Sequence, residues 1–209
     1  MRPVPLNSAS LESAARRLAR QDGDLAAILR RHGPPPLWAR KPGFQTLLHI
    51  ILEQQVSLAS ARAIFNRMGS SLSPLTPVAV IEAGEERLRG LGLTRQKAAY
   101  CVHAARTIAD GALDLGALAR MDDDEVLARL THLKGIGPWS AQVYLLMALR
   151  RADVWPAGDL ALATAMMKVK RLRRRPTPDK LRLMAEPWRP FRSVAARMLW
   201  QSYVYGESS

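Results

Sequence analysis

Asp159 and the run Leu133-Lys134-Gly135-Ile136-Gly137-Pro138-Trp139-Ser140-Ala141 are the residues whose types and spacing best suit chemistry. The run reads as a Gly-x-Gly turn opening onto a helix that begins near Pro138. Glycine at 135 and 137 permits positive φ and close approach of the backbone to a bulky ligand. The first-turn amides of the following helix then form an anion site. Further on, Pro156-Ala157-Gly158-Asp159 reads as a turn that delivers one carboxylate to the start of another helix. A turn able to grip a phosphate, with an acid nearby, points to chemistry on a nucleic acid. On spacing alone, a plain structural turn stays open, as does an Asp159 that only caps its helix.

The elements around the run narrow the choice. Asp122-Asp123-Asp124-Glu125-Val126-Leu127-Ala128-Arg129-Leu130 has a helical pattern, with Asp122 and Glu125 spaced as a capping box. The unit is therefore helix, glycine turn, helix. A dinucleotide-binding turn would need a preceding strand and a third glycine, and position 140 is serine. A phosphate-binding loop between strand and helix fails for the same reason.

The helices that must carry these turns are legible along the whole chain. Leu11, Ala14, Ala15 and Leu18 share one face, and Gly33-Pro34-Pro35-Pro36 ends that N-terminal region. Phe44, Leu47, Leu48, Ile51 and Leu52 repeat at helical spacing, as do Ala98, Cys101, Val102, Ala105 and Ile108, with Gly111 as a C-terminal stop. Thr76-Pro77 and Thr177-Pro178 each read as an N-cap followed by proline in the first turn. Alternating β-branched runs between hairpin turns are missing from the sequence. The expected class is all-α. Leu88-Arg89-Gly90-Leu91-Gly92 echoes the 133–137 pattern and reads as a second glycine turn between helices, with Arg95 or Lys97 as a minor candidate for a second backbone contact.

Net charge is +13 and the isoelectric point about 10.9, which suits a polyanionic partner and a salt-dependent affinity. Acidic residues concentrate at 122–125, so the basic surface need not be uniform. Arg171, Arg173, Arg174 and Arg175 form a charge run open to two readings, a solvated surface or a nonspecific backbone contact. Cys101 is the single cysteine, which rules out an intrachain disulfide or a cysteine-ligated iron–sulfur cluster. His32, His49, His103 and His132 lack metal-ligand spacing. Neither a signal-peptide pattern nor an apolar run of ~18 residues is present, so an intracellular, soluble protein without a membrane partner is expected.

Three segments in order resemble the helix-hairpin-helix DNA glycosylases: Ile51-Leu52-Glu53-Gln54-Gln55-Val56-Ser57, the run from Leu133 through Asp159, and Trp188-Arg189-Pro190-Phe191-Arg192-Ser193 to Trp200. Within them the chain is most similar to the bacterial 3-methyladenine DNA glycosylase II, alkylation-repair type, over roughly residues 40–205, in a compact version without the additional N-terminal β-domain of some relatives. The resemblance implies two helical lobes with a DNA-binding cleft, one lobe of residues 1–42 plus 152–209 and a central lobe of 43–151. It places the catalytic carboxylate at Asp159 and a base pocket at Trp139, Val143, Leu160 and Trp200. Val143 and Leu160 stand where the best-known relative has tyrosines, which implies a wider pocket. Gln55 takes the wedge position that fills the gap left by a flipped nucleotide. Lys134, Gly135, Gly137, Ser140 and Arg192 are implied DNA-backbone contacts. The main-chain carbonyls of Thr131, Leu133 and Ile136 are implied ligands of a structural Na⁺ or K⁺, with no other cofactor required.

The expected activity is hydrolysis of the N-glycosidic bond of 3-methyladenine and related alkylated bases in damaged double-stranded DNA. Bifunctional relatives that also nick the strand carry a nucleophilic lysine where this chain has Trp139, which cannot form a Schiff base, so a monofunctional enzyme is implied. A monomer acting in the bacterial cytoplasm, on the nucleoid through DNA, completes the expectation. The alternative is a noncatalytic helix-hairpin-helix DNA-binding protein, which would keep Gly135 and Gly137 but need neither Asp159 nor paired aromatics.

Overall fold

A computed structural model of the chain describes residues 4–206; among these are eleven α-helices and no strand. The outermost residues of the lobe expected from both termini, 1–3 and 207–209, lie outside the described part. The chain divides into two compact units, the first from Arg40 to Tyr144 and the second from Val4 to Ala39 together with Leu145 onward.

The first unit carries α3 (Phe44–Glu53), α4 (Leu58–Ser71), α5 (Pro77–Gly90), α6 (Arg95–Ala109), α7 (Asp123–Thr131) and the start of α8 (Pro138–Met147). The apolar faces read from spacing are the buried ones: Leu47, Leu48, Ile51 and Leu52 on α3, and Ala98, Cys101, Val102 and Ala105 on α6. Their burial supplies the hydrophobic drive that isolated ten- to fifteen-residue helices lack. Burial pushes the Cys101 thiol up to about 12, so it sits in this core as a small apolar group. Thr76 caps α5 with Pro77 behind it, as the sequence predicts, and α5 is broken at Gly84.

The second unit carries α1 (Ser8–Gln21), α2 (Gly23–His32), α9 (Leu160–Val169), α10 (Pro178–Ala185) and α11 (Arg192–Gly206). Leu11, Ala14, Ala15 and Leu18 of α1 join Leu25, Leu162, Met166, Trp155, Trp188 and Leu199 in one core. Asp22 ends α1, caps α2 through the amides of Asp24 and Leu25, and accepts from Lys170 and from the Trp188 indole. Burial would raise the Asp22 pKa, but the Lys170 and Trp188 hydrogen bonds outweigh it and hold the carboxyl below its usual value. Arg197 is wholly buried, its guanidinium donating to the carbonyls of Leu37, Ser193 and Leu146; burial lowers its pKa to about 10. Among the described residues no helix is long and apolar enough to cross a membrane.

Candidate active site

Asp122 opens α7 by accepting the Glu125 amide at 2.8 Å. The reciprocal half of the expected capping box is not made, because the Glu125 carboxylate turns to Arg129 at 3.0 Å. Between α7 and α8 lies the glycine turn. Gly135 sits at φ 89°, and a Cβ there would run into the Tyr100 ring, so both backbone and packing demand glycine. Gly137 departs from expectation: its φ is not left-handed. It lies before Pro138, which favours extended backbone, and its carbonyl accepts the Ala141 amide at 3.1 Å, making it the N-cap of α8. A Cβ on Gly137 would meet nothing within 4 Å, so this cap faces open space.

The end of α3 is locked to this turn. Gln54 donates through Nε2 to the Gly135 carbonyl at 2.7 Å and to the Ser140 hydroxyl at 2.9 Å. Lys97, buried, donates to the Leu52 carbonyl at 2.7 Å and satisfies one of the orphan acceptors at the α3 terminus. Lys97 is thereby spent inside the fold, which removes it as a backbone contact. Gln55 follows at φ 57°, exposed, on a turn held from both sides. Val56 and Leu58 flank it at 42 % and 68 % exposure, an apolar edge that the sequence reading did not single out.

The Ser140 side chain is buried and engaged by Gln54, so its hydroxyl faces inward, while its main-chain amide lies in the first turn of α8. Lys134 is exposed and Trp139 half-buried on the same turn. Val143 is buried, next to Tyr144, whose hydroxyl accepts the Gly43 amide at 3.0 Å. Thr131, Leu133 and Ile136 fall within this one turn. The Leu133 carbonyl accepts the Ile136 amide at 3.0 Å and keeps a second lone pair, so main-chain oxygens remain to suit a hard monovalent cation. Among the described residues no group of three or more His, Cys, Asp or Glu side chains could hold a metal.

In the second unit, Asp159 ends the 156–159 turn, its amide donating to the Pro156 carbonyl at 2.9 Å. It is the N-cap of α9: Oδ1 accepts the Leu162 amide at 2.7 Å. The same oxygen accepts the Trp200 indole N–H at 3.1 Å, a bond across 41 residues that spacing could not disclose. Trp200 on α11 is 9 % exposed, so it steadies the carboxylate with little of its ring in solvent, whereas Leu160 is 66 % exposed beside it. Arg192 also requires correction. Its guanidinium grips both carboxylate oxygens and the carbonyl of Asp153 at 2.9–3.0 Å and reaches Glu186 at 3.1 Å. With its donors occupied by these carboxylates it clamps the start of α11 and is not a DNA-backbone contact.

A glycine turn joins α7 to α8 with a side-chain-free N-cap, and Asp159 caps α9, in a chain whose described residues hold helices and no strand. The chain belongs to the HhH-GPD superfamily of base excision DNA repair proteins, whose description matches residues 48–190. It is 29 % identical over 186 residues to the Bacillus subtilis protein YfjP, covering 85 % of this chain and 65 % of that one. It is 29 % identical over 182 residues to DNA-3-methyladenine glycosylase 1 of Schizosaccharomyces pombe, covering 85 % of this chain and 80 % of that enzyme. The solved structure of the S. pombe 3-methyladenine DNA glycosylase Mag1 with abasic DNA superposes with a TM-score of 0.81 at 27 % identity, over 91 % of this chain and 96 % of that one.

Proposed function

We propose that the chain is a monofunctional DNA glycosylase that hydrolyses the N-glycosidic bond of alkylated bases in duplex DNA, 3-methyladenine among them. The observation that carries this reading is the Asp159 carboxylate, fixed by the Leu162 amide and the Trp200 indole, in a chain of a base-excision repair superfamily. Breaking the glycosidic bond builds positive charge on the sugar. A carboxylate oriented before the substrate arrives stabilises that charge without reorganising in the transition state. The transition state is oxocarbenium-like by analogy with glycoside hydrolysis; water supplies the new oxygen bond at the sugar, and the base departs with the glycosidic electron pair.

The remaining roles follow from placement. Lys134, Gly135, Gly137 and the Ser140 amide meet the DNA backbone at the α8 N-terminus, where the helix dipole favours a phosphate. The carbonyls of Thr131, Leu133 and Ile136 would hold a monovalent cation, which would add positive charge to the same turn. Gln55, with Val56 and Leu58 beside it, fills the stack behind the flipped nucleotide. Trp139 and Val143 in the first unit, and Leu160 and Trp200 in the second, are the residues proposed to meet the base; half-buried Trp139 has ring surface for cation–π attraction to a methylated purine, whereas Trp200 acts on the Asp159 carboxylate. Trp139 supplies no amine, so the strand is left intact at an abasic site. The enzyme works as a monomer in the bacterial cytoplasm, on the nucleoid through DNA.

The test is base release from duplexes carrying 3-methyladenine, 7-methylguanine, ethenoadenine, hypoxanthine or 8-oxoguanine. Cationic methylated bases should leave faster than neutral ones, yielding an alkali-labile abasic site and no borohydride-trapped protein–DNA adduct. Preference for 8-oxoguanine, or a trapped adduct, would overturn this reading.

A further inference from the structure

The loop between α9 and α10 carries charge that the fold leaves unanswered. Arg173, Arg174, Arg175 and Lys180 line one open concavity. The loop is anchored on either side: the Leu172 amide donates to the Met167 carbonyl at 2.9 Å, Pro176 is buried, and Thr177 caps α10. Three consecutive arginines are thus held outward by a backbone that is already pinned. Among the described residues none of the four cations has an ion-pair partner. Elsewhere in the same unit Lys170 sits on Asp22 and Asp24, Arg189 and Arg192 on Asp153 and Glu186, and Arg182 takes Asp179, the carboxylate nearest in sequence to Lys180.

We infer that this concavity is a second, sequence-independent docking surface for the phosphodiester backbone of duplex DNA. Four neighbouring cations repel one another, and a polyanion relieves that repulsion while releasing its own counterions. An exposed array suits a chain of phosphates better than one small anion, whose single charge would be screened by salt. Arginine forks add bidentate geometry on phosphate oxygens. The ten residues of α9 separate the loop from Asp159 by about 15 Å, so the surface adds affinity without touching the reacting sugar. The inference rests on the DNA-directed reading above, and its test is arranged to fail separately from it.

The experiment compares the full chain with R173A/R174A/R175A and with R173K/R174K/R175K for binding to an undamaged 25-base-pair duplex between 50 and 200 mM KCl. In parallel, single-turnover release of 3-methyladenine is measured at saturating enzyme. Loss of three phosphate contacts should flatten the slope of log affinity against log salt by about 2.7. It should also weaken binding at the lowest salt at least tenfold, whereas the lysine variant should keep most of the parent slope and affinity, and the saturated rate should move less than twofold in both. An alanine variant with the wild-type slope and affinity would overturn the inference while leaving base release to stand. Loss of binding to anionic vesicles alone, with the DNA slope unaltered, would also overturn it and assign the surface to a membrane. An arginine-dependent slope in a protein that releases no base would uphold it and defeat the proposed catalysis.

Discussion

Two turns of the first unit share the pattern leucine, basic residue, glycine, aliphatic residue, glycine: residues 88–92 before α6 and 133–137 before α8. They differ in which glycine is left-handed, Gly92 at φ 100° in the first and Gly135 at φ 89° in the second. Each left-handed glycine is covered by a side chain. Arg67 lies over the first turn and donates to the Leu91 carbonyl at 2.9 Å, and Tyr100 packs on the second. The consequential difference lies at the next helix. Thr94 caps α6 with its own hydroxyl, which accepts the Lys97 amide at 3.2 Å. Gly137 caps α8 with no side chain and open space beyond it. One helix answers a first-turn amide with the side chain of its own cap; the other has no cap side chain to do so. The sequence motif makes a turn in both places, and the cap residue decides whether that turn is available to a phosphate.

Substitutions can break this comparison in order of effect. Gly135→Ala should be the most damaging, because it adds left-handed strain of roughly 1–2 kcal/mol and drives a Cβ into the Tyr100 ring. Chemical denaturation should show a loss of about 2–4 kcal/mol, with DNA binding falling alongside. A variant as stable as the parent would mean that the hairpin tolerates a different turn.

Gly137→Thr should separate the two properties. It gives α8 the kind of cap that α6 has, so stability should stay within about 0.5 kcal/mol. Duplex affinity should nonetheless drop about tenfold, as the threonine takes the amides and the space a phosphate would use. Equal affinity in a titration would show that DNA does not approach at this cap. Gln54→Ala sharpens the account from the other side. Losing the bonds to the Gly135 carbonyl and Ser140 hydroxyl should cost about 1–2 kcal/mol and weaken duplex binding by a few-fold. Thr94→Gly should do least: a few tenths of a kcal/mol in a thermal melt, with DNA affinity untouched.

What the sequence discloses of this protein is what is local. Helix faces such as Leu47, Leu48 and Ile51 follow from a 3.6-residue period, and the caps at Thr76, Asp122 and Thr177 from residue type beside a proline or an apolar run. Asp159 at a helix start is legible for the same reason. Hidden from it are the bonds between distant segments: Gln54 to the hairpin 81 and 86 residues on, and Trp200 to Asp159. Arg192 misled because an arginine in a site-like motif looks free until Asp153, 39 residues earlier, folds against it. The inward direction of the Ser140 hydroxyl is set by Gln54, 86 residues earlier, and a serine after a glycine turn gives no sign of it. Arg197 shows the extreme case, a guanidinium buried on three carbonyls with nothing in its neighbouring sequence to announce it.

The central claim is that the carboxylate held by Leu162 and Trp200 performs the chemistry. Single-turnover release of 3-methyladenine by Asp159→Asn, at saturating enzyme, tests it most directly. Asparagine keeps an oxygen able to accept from both partners, so the fold and duplex affinity should survive while the charge is lost. The rate should fall by ~10²–10³ or more, the usual effect of removing a preorganised electrostatic group. Release at the parent rate, with binding intact, would contradict the account and move the catalytic charge to another residue.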